Sequence, residues 1–394
     1  MSELRDVVIV SAKRTPVGAF QGSLSSIAAP QLGATAIKAV LDETKIDIDS
    51  IDEVIMGNVL SAGQGQAPAR QAALGAGLPD SVECLTINKM CGSGLKAVML
   101  ATQAIQTGDA DIIIAGGMEN MTQAPYLLPK GREGHRLGHG QVLDSMIKDG
   151  LWDAYNDKHM GNCAELCASE KNYSREDQDA FAKISYTRAQ SALENGSFSD
   201  EIVSVPVPQR KGEPIIVDAD EEPSRANFEK MEFLRPAFEK DGTITAANAS
   251  KINDGAAAIL IMSGEKAKEL ELTPLAVIGA QASAAHAPEW FTTAPSKAIS
   301  KVLEKAGIKA EAIDLWEINE AFAPVAMAAM DDFNLSHDKV NVNGGAIAIG
   351  HPIGGSGARI LTTLIHAMKI REAHTGLATL CIGGGEASAL ILTR

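Results

Sequence analysis

Three β/α segments of this chain recur in the same order, and that repetition limits the fold more than any other feature. Ile51-Asp52-Glu53-Val54 has a counterpart in Ile313-Asp314-Leu315-Trp316. Gly92-Ser93-Gly94, ahead of a helical pattern, is echoed by Gly355-Ser356-Gly357 ahead of Ala358 to Lys369. Ile113-Ile114-Ala115-Gly116-Gly117-Met118-Glu119 is echoed by Leu380-Cys381-Ile382-Gly383-Gly384-Gly385-Glu386. The separations are nearly constant, so the simplest reading is a duplicated domain, each half one layered α/β unit. Chance similarity between β/α units is the competing reading.

Inside the first half, apolar runs alternate with helical patterns. Val7 to Val10 predicts a strand, and Pro30 to Asp42 a helix with Leu32, Ala36, Ile37, Val40 and Leu41 on one face. Val54 to Met56 predicts a strand, about Ala67 to Ala76 a helix, Val82 to Ile87 a strand, Leu95 to about Thr107 a helix, and Ile112 to Ala115 a strand. Continuous apolar runs separated by helices indicate strands buried on both faces. The segment between the halves differs: it is richer in charge and predicts a helix from Ser174 to Asn195, with Ser174 and Asp177 as N-cap chemistry and Gly196 as the stop. A hairpin follows, Ile202 to Val207 against Ile215 to Val217, turned at Lys211-Gly212. The expected division is therefore an N-terminal half over residues 1–118, completed by about 251–270, an inserted domain over 119–250, and a C-terminal half over 271–394.

Thirty-five basic against fifty acidic residues give a net charge of −15, which argues against nucleic-acid binding and leaves room for a local basic rim. Five cysteines, with Cys163 and Cys167 one helical turn apart, form neither a disulfide framework nor a zinc-ligand pattern. No apolar run approaches the ~18 residues of a membrane span, and neither terminus carries an address, so a cytoplasmic location is expected.

Cys91, in Asn88-Lys89-Met90-Cys91-Gly92-Ser93-Gly94, falls at the start of a helix. Unpaired N–H groups and the helix dipole there favour a thiolate, the nucleophilic form, and Gly92 and Gly94 leave room for a bulky group to approach. Two other readings stay open on these residues alone: a buried cysteine acting as a small hydrophobe, and a dinucleotide loop, since Gly92-Ser93-Gly94-Leu95-Lys96-Ala97 fits G-x-G-x-x-G/A with Asp109 and Asp111 downstream. Three further motifs carry chemistry: Glu317-Ile318-Asn319-Glu320 at a strand end, His351 bracketed by glycines, and Cys381 before Gly383-Gly384-Gly385. Together they put two thiols, an imidazole and an amide at the strand-end loops of a duplicated α/β protein, where ligands of such sheets bind.

With these blocks in hand, the chain resembles the thiolase family, and most closely its biosynthetic type. The likeness runs from Val7 to the C-terminus through Asn88-x-x-Cys91-x-Ser93-Gly94, Gly116-Gly117-Met118-Glu119-Asn120-Met121, His159-Met160-Gly161, Asn248-Ala249-Ser250, Asn319-Glu320-Ala321-Phe322, Gly350-His351-Pro352 and Cys381-x-Gly383-Gly384-Gly385. The resemblance implies a duplicated αβαβα fold with an inserted loop domain, and condensation of two acetyl-CoA to acetoacetyl-CoA with release of CoA, or the reverse thiolysis of a 3-oxoacyl-CoA. It implies that Cys91 carries the acyl group, His351 takes its proton and Cys381 is the base of the second step. Asn319 would hold a water, and the N–H groups of Cys91 and Gly383 would face the acyl oxygen. CoA would contact Leu151, His159, Met160, Arg225 and Ser250, and Met118, Phe291 and Phe322 would line the acyl pocket. No cofactor and no metal are implied; a homotetramer or dimer is.

Two departures stand out. Glu289-Trp290-Phe291-Thr292-Thr293-Ala294-Pro295 replaces a Met-Gly-Thr-Gly-Pro-like stretch, so Phe291 can narrow the acyl pocket. Lys251 stands at a frequent glycine step, where it either adds positive charge near CoA or faces solvent. The rivals are a degradative 3-ketoacyl-CoA thiolase with longer-chain preference, a decarboxylating ketoacyl synthase, which would use two histidines with one cysteine, and a non-catalytic CoA- or lipid-binding relative.

Overall fold

In the computed structural model, which describes residues 4–394, the apolar runs become strands, and the ends of several of them border one cavity. In chain order the main elements are β1 (Val7–Arg14), α1 (Ala29–Thr44), β2 (Glu53–Gly57), α2 (Pro68–Gly75), β3 (Glu83–Ile87), α3 (Ser93–Thr107) and β4 (Ile112–Asn120). After the inserted segment, which holds α4 (Met160–Lys171) and α5 (Arg175–Glu194), come β5 (Asn253–Ser263), β6 (Ala276–Ala285), α6 (Ala294–Ala306), β7 (Leu315–Ile318), α7 (Ala323–Phe333), α8 (Ile353–Ile370), β8 (Thr375–Ile382) and β9 (Glu386–Thr393).

The strands form one sheet in the order β7-β8-β9-β6-β1-β5-β4-β2-β3, with the short Gly18–Ala19 strand beside β5. The sheet is mixed. β2 is parallel to β3 and β4, and β7 is parallel to β8. β4, β5, β1, β6, β9 and β8 then follow one another antiparallel. The sequence patterns suggested a buried sheet without revealing this mixture, because a strand covered on both faces reads as a continuous apolar run whatever its neighbours' direction. The two halves meet where β1 pairs β6 over only two residues, Val8 with Val277 and Ile9 with Ala276.

The layering follows from which helices are buried on which side. α1 and α2 cover one outer face, with Leu32, Ile37 and Val40 against Ile112, Ile114 and Leu260. α6 and α7 cover the other, around Val302, Trp316 and Ile391. α3 and α8 lie in the middle, packed by both halves of the sheet through Leu95, Val98, Ile360 and Leu364. α8 is buried nearly all round, as a central helix must be. Residue size decides how closely these two helices approach. A Cβ on Gly94 would lie 2.6 Å from the Ala358 nitrogen, and one on Gly357 would lie 2.2 Å from the Leu95 nitrogen. The twin Gly-Ser-Gly motifs are thus crossing points of the duplicated halves, and not a phosphate cradle.

In the inserted segment, the Ser174 hydroxyl accepts from the Asp177 N–H and the Asp177 carboxylate accepts from the Ser174 N–H, a capping box that starts α5. The hairpin is shorter than its sequence pattern. It pairs Val205–Val207 with Ile215–Val217, while Ile202 bridges to Arg14 instead. Among the described residues, no helix is long and apolar enough to cross a membrane.

Candidate active site

The chain positions Cys91 by a turn that local chemistry defines. The Asn88 carboxamide oxygen accepts from the Met90 N–H, and the Ser93 hydroxyl accepts from the Lys89 N–H and donates to the Met90 carbonyl. These bonds hold Met90 at φ +48°, a left-handed conformation that costs a non-glycine residue energy and turns the next side chain, Cys91, out of line. Space beside the turn is already filled. A Cβ on Gly92 would lie 2.3 Å from Cδ1 of Ile382, so this glycine admits the other half of the protein and not a substrate. An ion pair between Lys89 and Glu386 ties the Cys91 turn to the start of β9, which pairs with the end of β8 that carries Cys381.

Glu119 organises the floor. Its buried carboxylate accepts from the Asn58 side chain and from the N–H groups of Val59, Leu60 and Gly354, joining the loop after β2 to the first turn of α8. Burial nonetheless pushes it up to about 7. Glu320 does the corresponding work in the other half, accepting from Ser185, Asn341 and the Ile347 N–H.

These supports surround a cavity of about 220 Å3. Cys91, His351, Cys381, Gly383, Leu151, His159, Met160, Ser250, Phe291 and Phe322, all singled out from sequence, line it. Asn319 lies behind His351, its amide nitrogen 3.5 Å from Nε2, and its carbonyl oxygen has no protein hydrogen-bond partner. Arg225 is in an adjoining groove with Tyr186, Glu222 and Phe228, paired with Glu221 at 3.5 Å. Met118 is a correction: it was expected in the acyl pocket, but it points to the opposite face of β4, where it packs beneath Gly33 of α1. Successive side chains of a strand alternate faces, so a strand that sends Glu119 inward sends Met118 outward.

Sequence reasoning missed Phe238. Its ring stacks on His159 with centroids 4.8 Å apart and meets Phe322 edge-on at 5.9 Å, and Phe291 meets Phe322 at 6.2 Å. Phe238 sits outside any periodic element, and only the absent Cβ of Gly161 lets its ring approach. No signal in the sequence marked it.

The electrostatics correct the expectation for Cys91. Burial pushes its thiol up to about 11, although the N–H groups of Gly383 and Cys91 pull it down again. Cys381 is also raised, by burial and then by the charge Cys91 would carry. His351 is driven the other way, down to about 3, by burial and the Arg359 guanidinium. The resting site is therefore thiol and neutral imidazole. Its tautomer follows from the bonds: Ser356 donates to the Pro352 carbonyl, so its oxygen accepts from His351 Nδ1 at 2.6 Å, leaving Nε2 as the free base. Alkylation of Cys91 by iodoacetamide, followed on its peptide, should accordingly keep rising with pH through 9, since the thiolate fraction grows up to about pH 11. A plateau reached by pH 7 would contradict a neutral resting pair.

A partly buried nucleophile, a neutral base fixed in one tautomer and N–H groups facing the sulfur are equipment for acyl transfer through a cysteine thioester. No cluster of metal-ligating side chains occurs among the described residues. Residues 7–265 match the Thiolase, N-terminal domain family and residues 272–394 the Thiolase, C-terminal domain family. The chain is 55% identical over 392 residues to an acetyl-CoA acetyltransferase of Pseudomonas aeruginosa, covering 99% of this chain and 100% of that protein. It is 53% identical over 390 residues to acetyl-CoA acetyltransferase 2 of Arabidopsis thaliana, covering 98% and 97%. Among solved structures, the acetyl-CoA acetyltransferase of Bacillus anthracis superposes with a TM-score of 0.97 at 40% identity, over the whole of both chains. A thiolase from Ascaris suum, solved in complex with coenzyme A, superposes at 0.94 with 43% identity, over 99% of this chain and 100% of that one. Duplicated fold, two-thiol cavity and full-length likeness agree: this chain is an acyltransferase of the thiolase family.

Proposed function

We propose that the enzyme is an acetyl-CoA C-acetyltransferase, condensing two acetyl-CoA to acetoacetyl-CoA and CoA and running in reverse as a thiolase. The observation that carries this reading is the presence of Cys91 and Cys381 in one cavity with a neutral His351. His351 Nε2 takes the Cys91 proton as the sulfur attacks the acetyl-CoA carbonyl; the carbon–sulfur bond to CoA breaks and CoA leaves with that proton. Cys91 is then occupied and uncharged, which removes one of the two causes that raise Cys381. His351 takes the Cys381 proton, and the Cys381 thiolate removes a methyl proton from a second acetyl-CoA. The carbanion attacks the acetyl carbon on Cys91, whose sulfur leaves and is reprotonated from His351. The N–H groups of Cys91 and Gly383 hold the negative acyl oxygen; His351 and Asn319, through water, serve the thioester oxygen of the second substrate.

CoA would run past Leu151, His159, Met160 and Ser250, with Arg225 of the adjoining groove serving its phosphates. A cytoplasmic homotetramer is the expected setting. The edge position of β3, with Leu85 exposed, supports assembly.

Intact mass after addition of acetyl-CoA tests the reading: one acetyl group should appear, mapped by digestion to Cys91. Acetylation that avoids Cys91, or none, would sink it. The small aromatic-floored cavity favours a short acyl group over the longer chains of a degradative enzyme. Phe291→Ala should open it and raise thiolysis of six-carbon over four-carbon 3-oxoacyl-CoA by about tenfold, since each accommodated CH2 is worth roughly 0.8 kcal/mol. An unchanged ratio would remove Phe291 from chain-length selection.

A further inference from the structure

The lysine that lines the Cys91 cavity has an unusual setting. Lys251 also lines the neighbouring groove with Tyr186 and Arg225, so its side chain stands where the two spaces meet. Its Nζ donates to the carbonyls of Ala246 and Ala249, the latter at 3.0 Å, and lies 5.6 Å from the centre of the Tyr186 ring. A neutral amine has two N–H groups. Both can be spent on those two carbonyls, and the lone pair is then left on the far side. The amine is thus held still, partly accessible, beside a cavity read above as the place where thioesters react.

We propose that Lys251 is a self-acylation site: its amine takes the acyl group of a thioester bound in this cavity and becomes an N-acyl-lysine. The amine lone pair attacks the thioester carbonyl carbon, a carbon–nitrogen bond forms and the carbon–sulfur bond breaks. The departing thiolate, of CoA or of Cys91, takes the proton that the nitrogen loses. No oxidant or further reactant is needed. The N-acyl group abolishes the positive charge and occupies the junction of cavity and groove, so acylation at this position should weaken binding of the next thioester.

Its surroundings favour the reactive form. Burial brings the Lys251 ammonium down to about 8, and the Glu222 carboxylate only partly offsets this. The Tyr186 ring also favours the charged form, and Arg225 and Lys230 are the other charged groups lining the groove. At pH 8 much of the amine is neutral, against well under a hundredth for an exposed lysine.

This inference rests on the thioester reading of the cavity, and one experiment separates the two. The enzyme is incubated with acetyl-CoA between pH 7 and 9, treated with hydroxylamine to strip thioesters, digested and mapped by mass spectrometry. Hydroxylamine-resistant acetyl should collect on Lys251 at least about tenfold faster than on exposed Lys38, with a rate rising through pH 8 and then levelling. Acetylation that survives Cys91→Ala comes from acetyl-CoA directly, and acetylation that vanishes there passes through Cys91; both are forms of the proposal. Activity lost during incubation should track Lys251 occupancy and be absent in Lys251→Arg. Acetylation of Lys251 no faster than that of Lys38, with Cys91 labelled normally before hydroxylamine, overturns the inference alone. A Cys91 that never acetylates overturns the thioester reading.

Discussion

Cys91→Ser should lower turnover by about four orders of magnitude or more and leave no acetyl-enzyme after acetyl-CoA is added. The substitution puts a hydroxyl where the thiol stood, and the hydrogen bonds of Asn88 and Ser93 that shape the turn are untouched. What changes is the nucleophile. An alcohol is far less acidic than even a thiol raised to about 11, and a neutral His351 held down to about 3 is too weak a base to make up the difference. Binding of CoA, followed by calorimetry, should persist within a few-fold, which separates lost chemistry from lost structure. Turnover within tenfold of the unchanged enzyme would show that the acyl group is carried elsewhere.

Cys381→Ser should divide the reaction in two. Acetylation of Cys91 needs only Cys91, His351 and the N–H groups of Cys91 and Gly383, none of which this substitution removes, so the acetyl-enzyme should form and accumulate. Condensation should fall by about three orders of magnitude or more, because a serine hydroxyl cannot serve as the base for a methyl proton. A charge on Cys91 raises the Cys381 thiol, so an acylated, uncharged Cys91 removes one of the two causes that hold it up. The diagnostic measurement is a burst of CoA, about one per active site, followed by nothing. Full condensation in this variant would remove Cys381 as the base, and loss of the burst would place it in the first step instead.

Much of the site was legible because its chemistry is written locally. The Cys91 turn depends on Asn88 and Ser93, within three residues of it, and the α5 start depends on Ser174 and Asp177. Helix faces and strand ends follow periods of 3.6 and 2, so Leu32, Ile37 and Val40 announced their burial before any fold was known. Phe238 was not legible, since it lies in an irregular stretch and reaches the cavity only because Gly161 lacks a side chain. Met118 was misplaced because membership of a motif says nothing about which face of β4 a residue takes.

The residue order alone determined the duplicated α/β halves and the inserted segment, and it singled out Cys91, His351 and Cys381 as the candidate reacting groups. Tertiary structure decided their protonation. A helix start argues for a thiolate, yet burial in the folded site raises the Cys91 thiol and, with Arg359, holds His351 neutral. It also decided what the glycines are for: Gly92 admits Ile382, and Gly94 admits the backbone at Ala358, so space that looked open for a ligand holds the two halves together. The physical reason is the same in each case. Backbone propensity and hydrogen bonding within a turn act over a few residues, whereas desolvation and close packing are set by whatever the fold brings near.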